Sequence, residues 1–291
     1  MFSISQLTDV YYNEIKMELS SLPPLVIIGI MSNEADAATL SYAKTLQVAC
    51  DRVGISLQLS SLPPSNIDEA IIESNFDPSI SGIFVFYPIR GEEQDAITRM
   101  RVLPSKDVEG LAQYWSNKLI MNDRVVNDHQ GKAVLPCTAL AVLKTLISAC
   151  SLTESPNRTF VGETITIFNR SKVVGHPLAW MLRNDGAVVF TFDVHGGYAL
   201  PNSSYAITRA VALEKSSIVV TGVPSPTFDR IKESEISNDT VCLNFSFVEN
   251  FTPEAIKKAH CYIPRVGPMT IAMCLRNAVR LHRHAISCRH P

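Results

Sequence analysis

The chain has 291 residues, 46% hydrophobic and 19% charged, enough apolar material for two domains of ordinary size or one large one. Its formal net charge of −2 gives no electrostatic case for binding nucleic acid or an anionic membrane surface. The seven cysteines are scattered without a CxxC, which argues against a disulfide framework or a zinc site and for reduced cytosolic thiols; no metal is expected.

In chain order, Ile4, Leu7, Val10, Tyr11, Ile15 and Leu19 recur at helical spacing, so the chain opens on an amphipathic helix that Pro23-Pro24 ends. This opening carries acids, no arginine and no apolar h-region, so neither a secretory nor a transit signal is expected. Leu25–Met31 is continuously apolar, as buried parallel strands are, and too short to span a bilayer. A soluble, cytoplasmic protein is expected. Ala38–Arg52 reads as a helix closed by Gly54, followed by an alternating strand at Ile55, Leu57 and Leu59. A helix near Ile67–Glu73 and the strand Ile83–Tyr87, stopped by Pro88, complete a parallel α/β layer. Gly91–Val102 reads as helical and Pro104–Gly110 as a charged loop. Thr138 reads as the cap of a helix over Ala139–Ala149. The polar stretch Ser151–Asn157 marks the main boundary.

Beyond it, Thr164–Phe168 is a strand, Pro177–Asp185 a helix, and Val188–Phe192 a second strand ending at Asp193. A strand, a turn onto a helix N-terminus and an acid about 20 residues on is the plan of a mononucleotide-binding half. The helix start offers N–H groups to a pyrophosphate. The acid can accept both ribose hydroxyls and repels a 2′-phosphate, which favours NAD over NADP. With Gly175 as the single turn glycine, a βαβ unit without nucleotide remains an equal alternative. Strands at Ser217–Thr221 and Val241–Phe245, a short helix at Pro253–Ala259 and a short strand or bridge at Cys261–Pro264 follow. The last helix runs from Met269 to about Ser287, and its Arg276, Arg280, Arg283 and His284 read as a solvated face.

The ends of these elements carry Tyr42, GIFVFYP (82–88), KDVEG (106–110), LPCT (135–138), NRSKVVGHP (169–177), TGVP (221–224) and VGPMT (266–270), in that order. The series resembles the methylenetetrahydrofolate dehydrogenase/cyclohydrolase family over nearly the whole chain, and within it the yeast-type monofunctional NAD-dependent branch. The resemblance implies an α/β fold: an N-terminal α/β domain and a Rossmann domain across a cleft, with the C-terminal helix packing back on the first domain. Residues 1–150, with helix 269–291 returning to them, would be the folate-binding catalytic domain, and 151–268 the NAD-binding domain. A homodimer acting in one-carbon metabolism and purine biosynthesis is implied as well.

The implied reaction is oxidation of 5,10-methylenetetrahydrofolate to the 5,10-methenyl form by hydride transfer to NAD. Nitrogen lone pairs flank the methylene carbon and stabilise the cation left behind, so this step asks the protein for orientation and exclusion of water, with no general base. The resemblance puts Tyr42, Leu46, Val85, Phe86, Tyr87, Glu109, Pro136 and Gly267 at the folate. Tyr42 and Cys137 are its candidate catalytic residues, Cys137 as a reactive or positioning thiol. Asn169, Arg170, Ser171, Asp193, Val194, Gly222, Val223, Pro224, Asn244, Phe245, Ser246 and Thr270 are placed at the cofactor.

Two departures bear on activity. Bifunctional relatives have a lysine where this chain has Leu46 and a supporting glutamine where it has Phe86, and both serve the hydrolytic step. Lys44 cannot substitute, because two helix positions are about 200° round. Loss of cyclohydrolase activity is therefore expected. Glu109 stands where the family has an aspartate for the pterin ring, one methylene longer. The alternatives are an NADP-using or residually bifunctional enzyme, or a silent folate- or dinucleotide-binding paralogue.

Overall fold

The computed structural model describes residues 2–126, 131–199 and 206–288. The chain divides into two compact units: Thr8–Cys137 with Ile271–Pro291, and Met1–Leu7 with Thr138–Thr270.

The first unit takes most of α1 (Ile4–Leu19), then β1 (Val26–Ser32), α2 (Ala37–Val53), β2 (Ser56–Leu62), α3 (Ile67–Phe76), β3 (Gly82–Val85), α4 (Glu92–Arg99) and α5 (Gln113–Ile120). A two-residue hairpin, β4 (Val125–Val126) and β5 (Gly131–Lys132), follows. The sheet is parallel in the order β2-β1-β3. Its apolar runs bury Ile30, Ile83 and Val85 against Ile67 and Ile71 of α3. Asp36 caps α2 by accepting from the Thr39 amide at 2.7 Å; Gly54 closes it at φ 84°, as the sequence suggests. Beyond β3, the Ile83 amide donates to the Lys106 carbonyl at 2.7 Å, and Ile83 bridges Asp107 in parallel. The charged loop thus continues the sheet edge, which is what brings Glu109 to the C-terminal end of β3.

The second unit holds α6 (Cys137–Ala149, its first residue counted with the first unit), β6 (Thr164–Phe168), α7 (Gly175–Asn184), β7 (Val188–Asp193), β8 (Gly196–Ala199) and β9 (Ala206–Ile207). It continues with α8 (Arg209–Lys215), β10 (Ile218–Thr221), β11 (Val241–Asn244), α9 (Pro253–Lys258) and β12 (Cys261–Ile263). Its sheet runs β12-β11-β10-β6-β7-β8-β9, parallel through β7 and antiparallel over the last two strands. The parallel part is the expected Rossmann layer. The antiparallel extension arises because Asp193-Val194-His195, expected as a terminal turn, is instead the bend of a hairpin.

The last helix, α10 (Gly267–Ser287), returns to the first unit as expected. Buried Asn277 fastens it there, donating from Nδ2 to the carbonyls of Val108 and Leu135 at 3.0 and 2.9 Å. Residues 289–291 lie outside the described residues. The basic residues of α10 are a solvated face only in part, since Arg283 is exposed while Arg276, Arg280 and His284 are half-buried. Arg276 pairs with Glu14 at 3.7 Å and stacks over Tyr11, and Arg283 pairs with Glu18 at 3.0 Å. Burial then lowers Arg280 to about 10. Helix periodicity gives the face but not its partner, which here is the acidic side of α1. Two further expectations shift: Thr138 lies inside α6 and does not cap it, and Val10 of α1 is exposed.

Candidate functional site

In the first unit, the aromatic residues at the end of β3 meet α2. The Tyr42 ring lies 6.1 Å from that of Phe84 and 6.3 Å, edge-on, from that of Phe86. Phe84 and Phe86 are themselves 4.7 Å apart, since alternate strand residues share a face. Phe84 was not among the expected residues, although its period-two relation to Phe86 signals it. Burial raises the Tyr42 hydroxyl well above its ordinary range, and the neighbouring Cys137, Cys274 and Glu109 add to the shift. Tyr42 is therefore a neutral donor throughout the physiological range. Burial likewise raises Tyr87, with Glu109 next, and the Arg99 guanidinium lies 5.1 Å over its ring.

Two carboxyls organise the floor of this cluster. Asp107 is buried, and its two oxygens accept from the amides of Gly110 at 3.0 Å and Ala112 at 2.6 Å. Burial outweighs those bonds and pushes it up to about 6. Glu109 Oε2 accepts from the Val85 amide at 3.2 Å, so its extra methylene lets the carboxyl reach the last residue of β3. Burial first, then the Asp107 charge, pushes Glu109 up to about 8. The Glu109 carbonyl in turn accepts from the Cys137 amide at 3.0 Å, which ties the loop to the first turn of α6. Cys137 is 7% exposed and Pro136 is buried beside it. Leu46, at 0% exposure, presents no surface to a ligand, and Phe86 is buried too. Both places expected to be polar in hydrolytic relatives are thus apolar and enclosed.

In the second unit, the turn after β6 is built around Asn169. Its Oδ1 accepts from the amides of Ser171 at 2.9 Å and Gly175 at 3.1 Å, and its Nδ2 donates to the Gly222 carbonyl at 2.8 Å. Ser171 Oγ accepts from the Val174 amide at 3.2 Å. A Cβ added at Gly175 would lie 2.1 Å from the Asn169 carbonyl oxygen, so the helix start can approach the strand end this closely only as glycine. Helix α7 begins here, at Gly175, and Asp185 is its C-cap. The amides that open α7 are already taken, Gly175 by Asn169 Oδ1 and His176 by the Ser171 carbonyl at 2.9 Å, and Pro177 has none, so the turn offers a pyrophosphate close approach and the positive end of the helix in place of the free N–H groups expected.

Asp193 ends β7, and its Oδ1 accepts from the His195 amide at 2.8 Å. Its Oδ2 faces the Arg170 Nη1 at 3.7 Å, and Val194 beside it is 94% exposed. Arg170 also lies 4.0 Å over the ring of Tyr198 on β8. On the other side of the sheet, the Phe245 ring fills the space a Gly222 side chain would need, 1.9 Å from an added Cβ. Val223 is held by buried Asn250, which accepts from its amide at 2.9 Å and donates to its carbonyl at 3.0 Å. Ser246 Oγ donates to the same carbonyl at 3.0 Å, and the Asn244 Oδ1 accepts from the Ser246 amide at 3.1 Å. Gly222, Val223, Asn244, Phe245 and Ser246 thus form one bonded rim, with Pro224 exposed beside it. Asn250 and Tyr198 carry no signal in the sequence, since each acts through a loop contact. Gly267 is exposed at the first turn of α10, and the Thr270 hydroxyl is committed to the Val266 carbonyl at 3.3 Å. No group of three metal-binding side chains occurs among the described residues.

Two family models match: tetrahydrofolate dehydrogenase/cyclohydrolase, catalytic domain, over residues 4–109, and the NAD(P)-binding domain of the same name over residues 136–286. The chain is 33% identical over 276 residues to the methylenetetrahydrofolate dehydrogenase (NAD(+)) of Schizosaccharomyces pombe, covering 90% of this chain and 86% of that protein. It is 34% identical over 280 residues to the protein of the same name from Saccharomyces cerevisiae, covering 89% and 86%. The solved structure of the NAD-dependent 5,10-methylenetetrahydrofolate dehydrogenase from Saccharomyces cerevisiae superposes with a TM-score of 0.89 at 30% identity, covering 99% of this chain and 98% of that one.

Proposed function

Because the chain belongs to the tetrahydrofolate dehydrogenase/cyclohydrolase family, we infer that it oxidises 5,10-methylenetetrahydrofolate to the 5,10-methenyl form with NAD. The observation that carries the reading is the Asn169–Gly175 turn, a dinucleotide cradle closed to any side chain at Gly175. It stands in a chain whose NAD-dependent relatives match it nearly end to end. NAD, when bound, supplies the hydride acceptor. Asn169, Ser171 and the start of α7 hold its pyrophosphate, and Asp193 accepts from the adenosine ribose. The Gly222–Pro224 and Asn244–Ser246 rim shapes the nicotinamide end. In the first unit, Tyr42 packs on the folate and donates its hydroxyl, while Glu109 receives the pterin N–H groups. The aromatic wall of Phe84 and Phe86 keeps that side dry, and Cys137 lines it from the first turn of α6.

The apolar, enclosed positions of Leu46 and Phe86 support a further element of the proposal, absence of cyclohydrolase activity. Proton transfer to and from attacking water needs a polar group there, and neither side chain has one. Leu46→Lys is expected to leave hydrolysis of the methenyl product at the uncatalysed rate, because Phe86 offers no partner. Catalysed hydrolysis in that variant, followed by loss of methenyl absorbance, would overturn this. A cytosolic homodimer is proposed from the family resemblance alone, testable by light scattering and cell fractionation.

The deciding experiment mixes purified protein with 5,10-methylenetetrahydrofolate and either NAD or NADP, and follows reduced cofactor and methenyl product together. No turnover with either dinucleotide overturns the enzyme reading. Asp193→Ser is expected to narrow the NAD/NADP preference about tenfold, since a carboxylate facing a 2′-phosphate costs more than a kcal/mol. An unchanged preference removes Asp193 from the ribose.

A further inference from the structure

The acid proposed to select NAD stands beside an arginine, the residue type that elsewhere welcomes a 2′-phosphate, and the fold has to keep the two from working against each other. We propose that Tyr198 is a positioning residue for cofactor selection: it holds the Arg170 guanidinium on its ring, so that Arg170 braces Asp193 and cannot swing to a 2′-phosphate. The inference rests on the NAD reading above and deepens it.

Three contacts carry it. The Arg170 Cζ lies 4.0 Å from the Tyr198 ring centroid, well inside the range of a cation–π contact. The Arg170 Nη1 faces Asp193 Oδ2 at 3.7 Å. The other carboxylate oxygen, Oδ1, takes the His195 amide at 2.8 Å, which fixes the plane of the carboxylate within its own hairpin. The register of that hairpin puts these groups together. Asp193 pairs with Gly196 and Thr191 with Tyr198, so Tyr198 lies two residues along β8 from the partner of the acid. The antiparallel extension of the Rossmann sheet therefore has a chemical use: it carries the ring on which Arg170 rests.

The physical consequence has one sign. A guanidinium is planar and stacks on an aromatic face while its edge nitrogens stay available to a carboxylate. With the ring in place, Arg170 lies flat and its charge is spent on Asp193, which leaves Asp193 oriented and the arginine unable to turn outward. With the ring removed, Asp193 loses its brace, so NAD binds less well. At the same time Arg170 is released to meet a 2′-phosphate, for which its fork is suited, so NADP binds better. Both changes lower the NAD/NADP affinity ratio. Tyr198→Phe keeps the ring and should keep the ratio, because the contact uses the face of the ring and not the hydroxyl.

The test measures dissociation constants of NAD and NADP by titration calorimetry on the full chain, without folate and without turnover. Tyr198→Leu is expected to lower the NAD/NADP affinity ratio about tenfold, and Tyr198→Phe to hold it within about twofold of the parent. In an Arg170→Met background, Tyr198→Leu should change the ratio no further, as expected if the ring acts through the arginine. Thermal melts taken alongside establish that each variant is folded. A folded Tyr198→Leu protein with an unchanged ratio overturns the proposal, as does a Tyr198→Leu effect that persists in full without Arg170. If the parent chain binds neither dinucleotide, the NAD reading itself fails, an outcome distinct from both.

Discussion

Replacing Gly175 by alanine is expected to weaken NAD binding by at least about 100-fold and to destabilise the protein by roughly 2–4 kcal/mol. The new Cβ would lie 2.1 Å from the Asn169 carbonyl oxygen, 2.4 Å from its Oδ1 and 2.5 Å from its carbonyl carbon. Two of those atoms are main chain, so no rotamer change relieves the clash and the strand end itself must move. Asn169 takes its network with it. Its Oδ1 organises the amides of Ser171 and Gly175, and its Nδ2 reaches across the sheet to the Gly222 carbonyl. A shift at Gly175 would therefore disturb this turn and the Gly222 rim together, which is why the expected loss exceeds that of one hydrogen bond. Alanine at Gly267 is the control for stability, since a Cβ there meets nothing within 4 Å. It should leave the melting temperature within about a degree. An NAD dissociation constant for Gly175→Ala within threefold of the parent would falsify the placement of the pyrophosphate at this turn.

The sequence announces most of this turn and little of what surrounds it. Continuous apolar runs mark β1, β3 and β10 because strands buried on both faces need no alternation. Gly54 and the Pro23-Pro24 pair set boundaries by local conformation, so they too are legible. Two short helices, α5 and α8, escape notice because seven or eight residues give too few turns for a periodicity to stand out. The β7–β8 hairpin escapes for a different reason. Asp-Val-His-Gly-Gly looks like the turn that ends a strand, and whether the chain then turns back to pair is decided by tertiary context. Within the candidate sites the division is similar. Tyr42, Glu109 and Asp193 stand in recognisable words at strand and helix ends. The environments that set their chemistry do not: the Val85 amide against Glu109, the Tyr198 ring under Arg170 and Asn250 behind Val223 are contacts between a strand or loop and a loop more than 20 residues away.

The largest pH effect should come from Glu109, and it should act on stability and on folate affinity in opposite directions. Burial first, and then Asp107, hold the folded carboxyl at about 8, above its ordinary value of 4.5. Between those values the folded state keeps a proton that the unfolded state has released, so its contribution to stability is present at low pH and is lost as pH rises through about 8. From pH ~6.5 to ~8.5 that loss amounts to about 2 kcal/mol, seen as a fall of several degrees in melting temperature. Asp107, at about 6, has largely released its proton before this window opens.

Folate affinity should move the other way. The pterin amino group and ring N–H are donors, and the ionised carboxyl is the form that accepts from both. Across the same window the ionised fraction of Glu109 rises about 25-fold, and the dissociation constant for tetrahydrofolate should fall by a similar factor. Glu109→Gln cannot ionise, yet its amide oxygen can still accept from the Val85 amide, so the loop should stay in place while both trends flatten. Melting curves and calorimetric titrations of tetrahydrofolate at matched pH, on parent and variant, read the two effects separately. If the variant keeps the parental slope in affinity, Glu109 does not receive the pterin. If it keeps the slope in melting temperature, the titrating group lies elsewhere in the first unit.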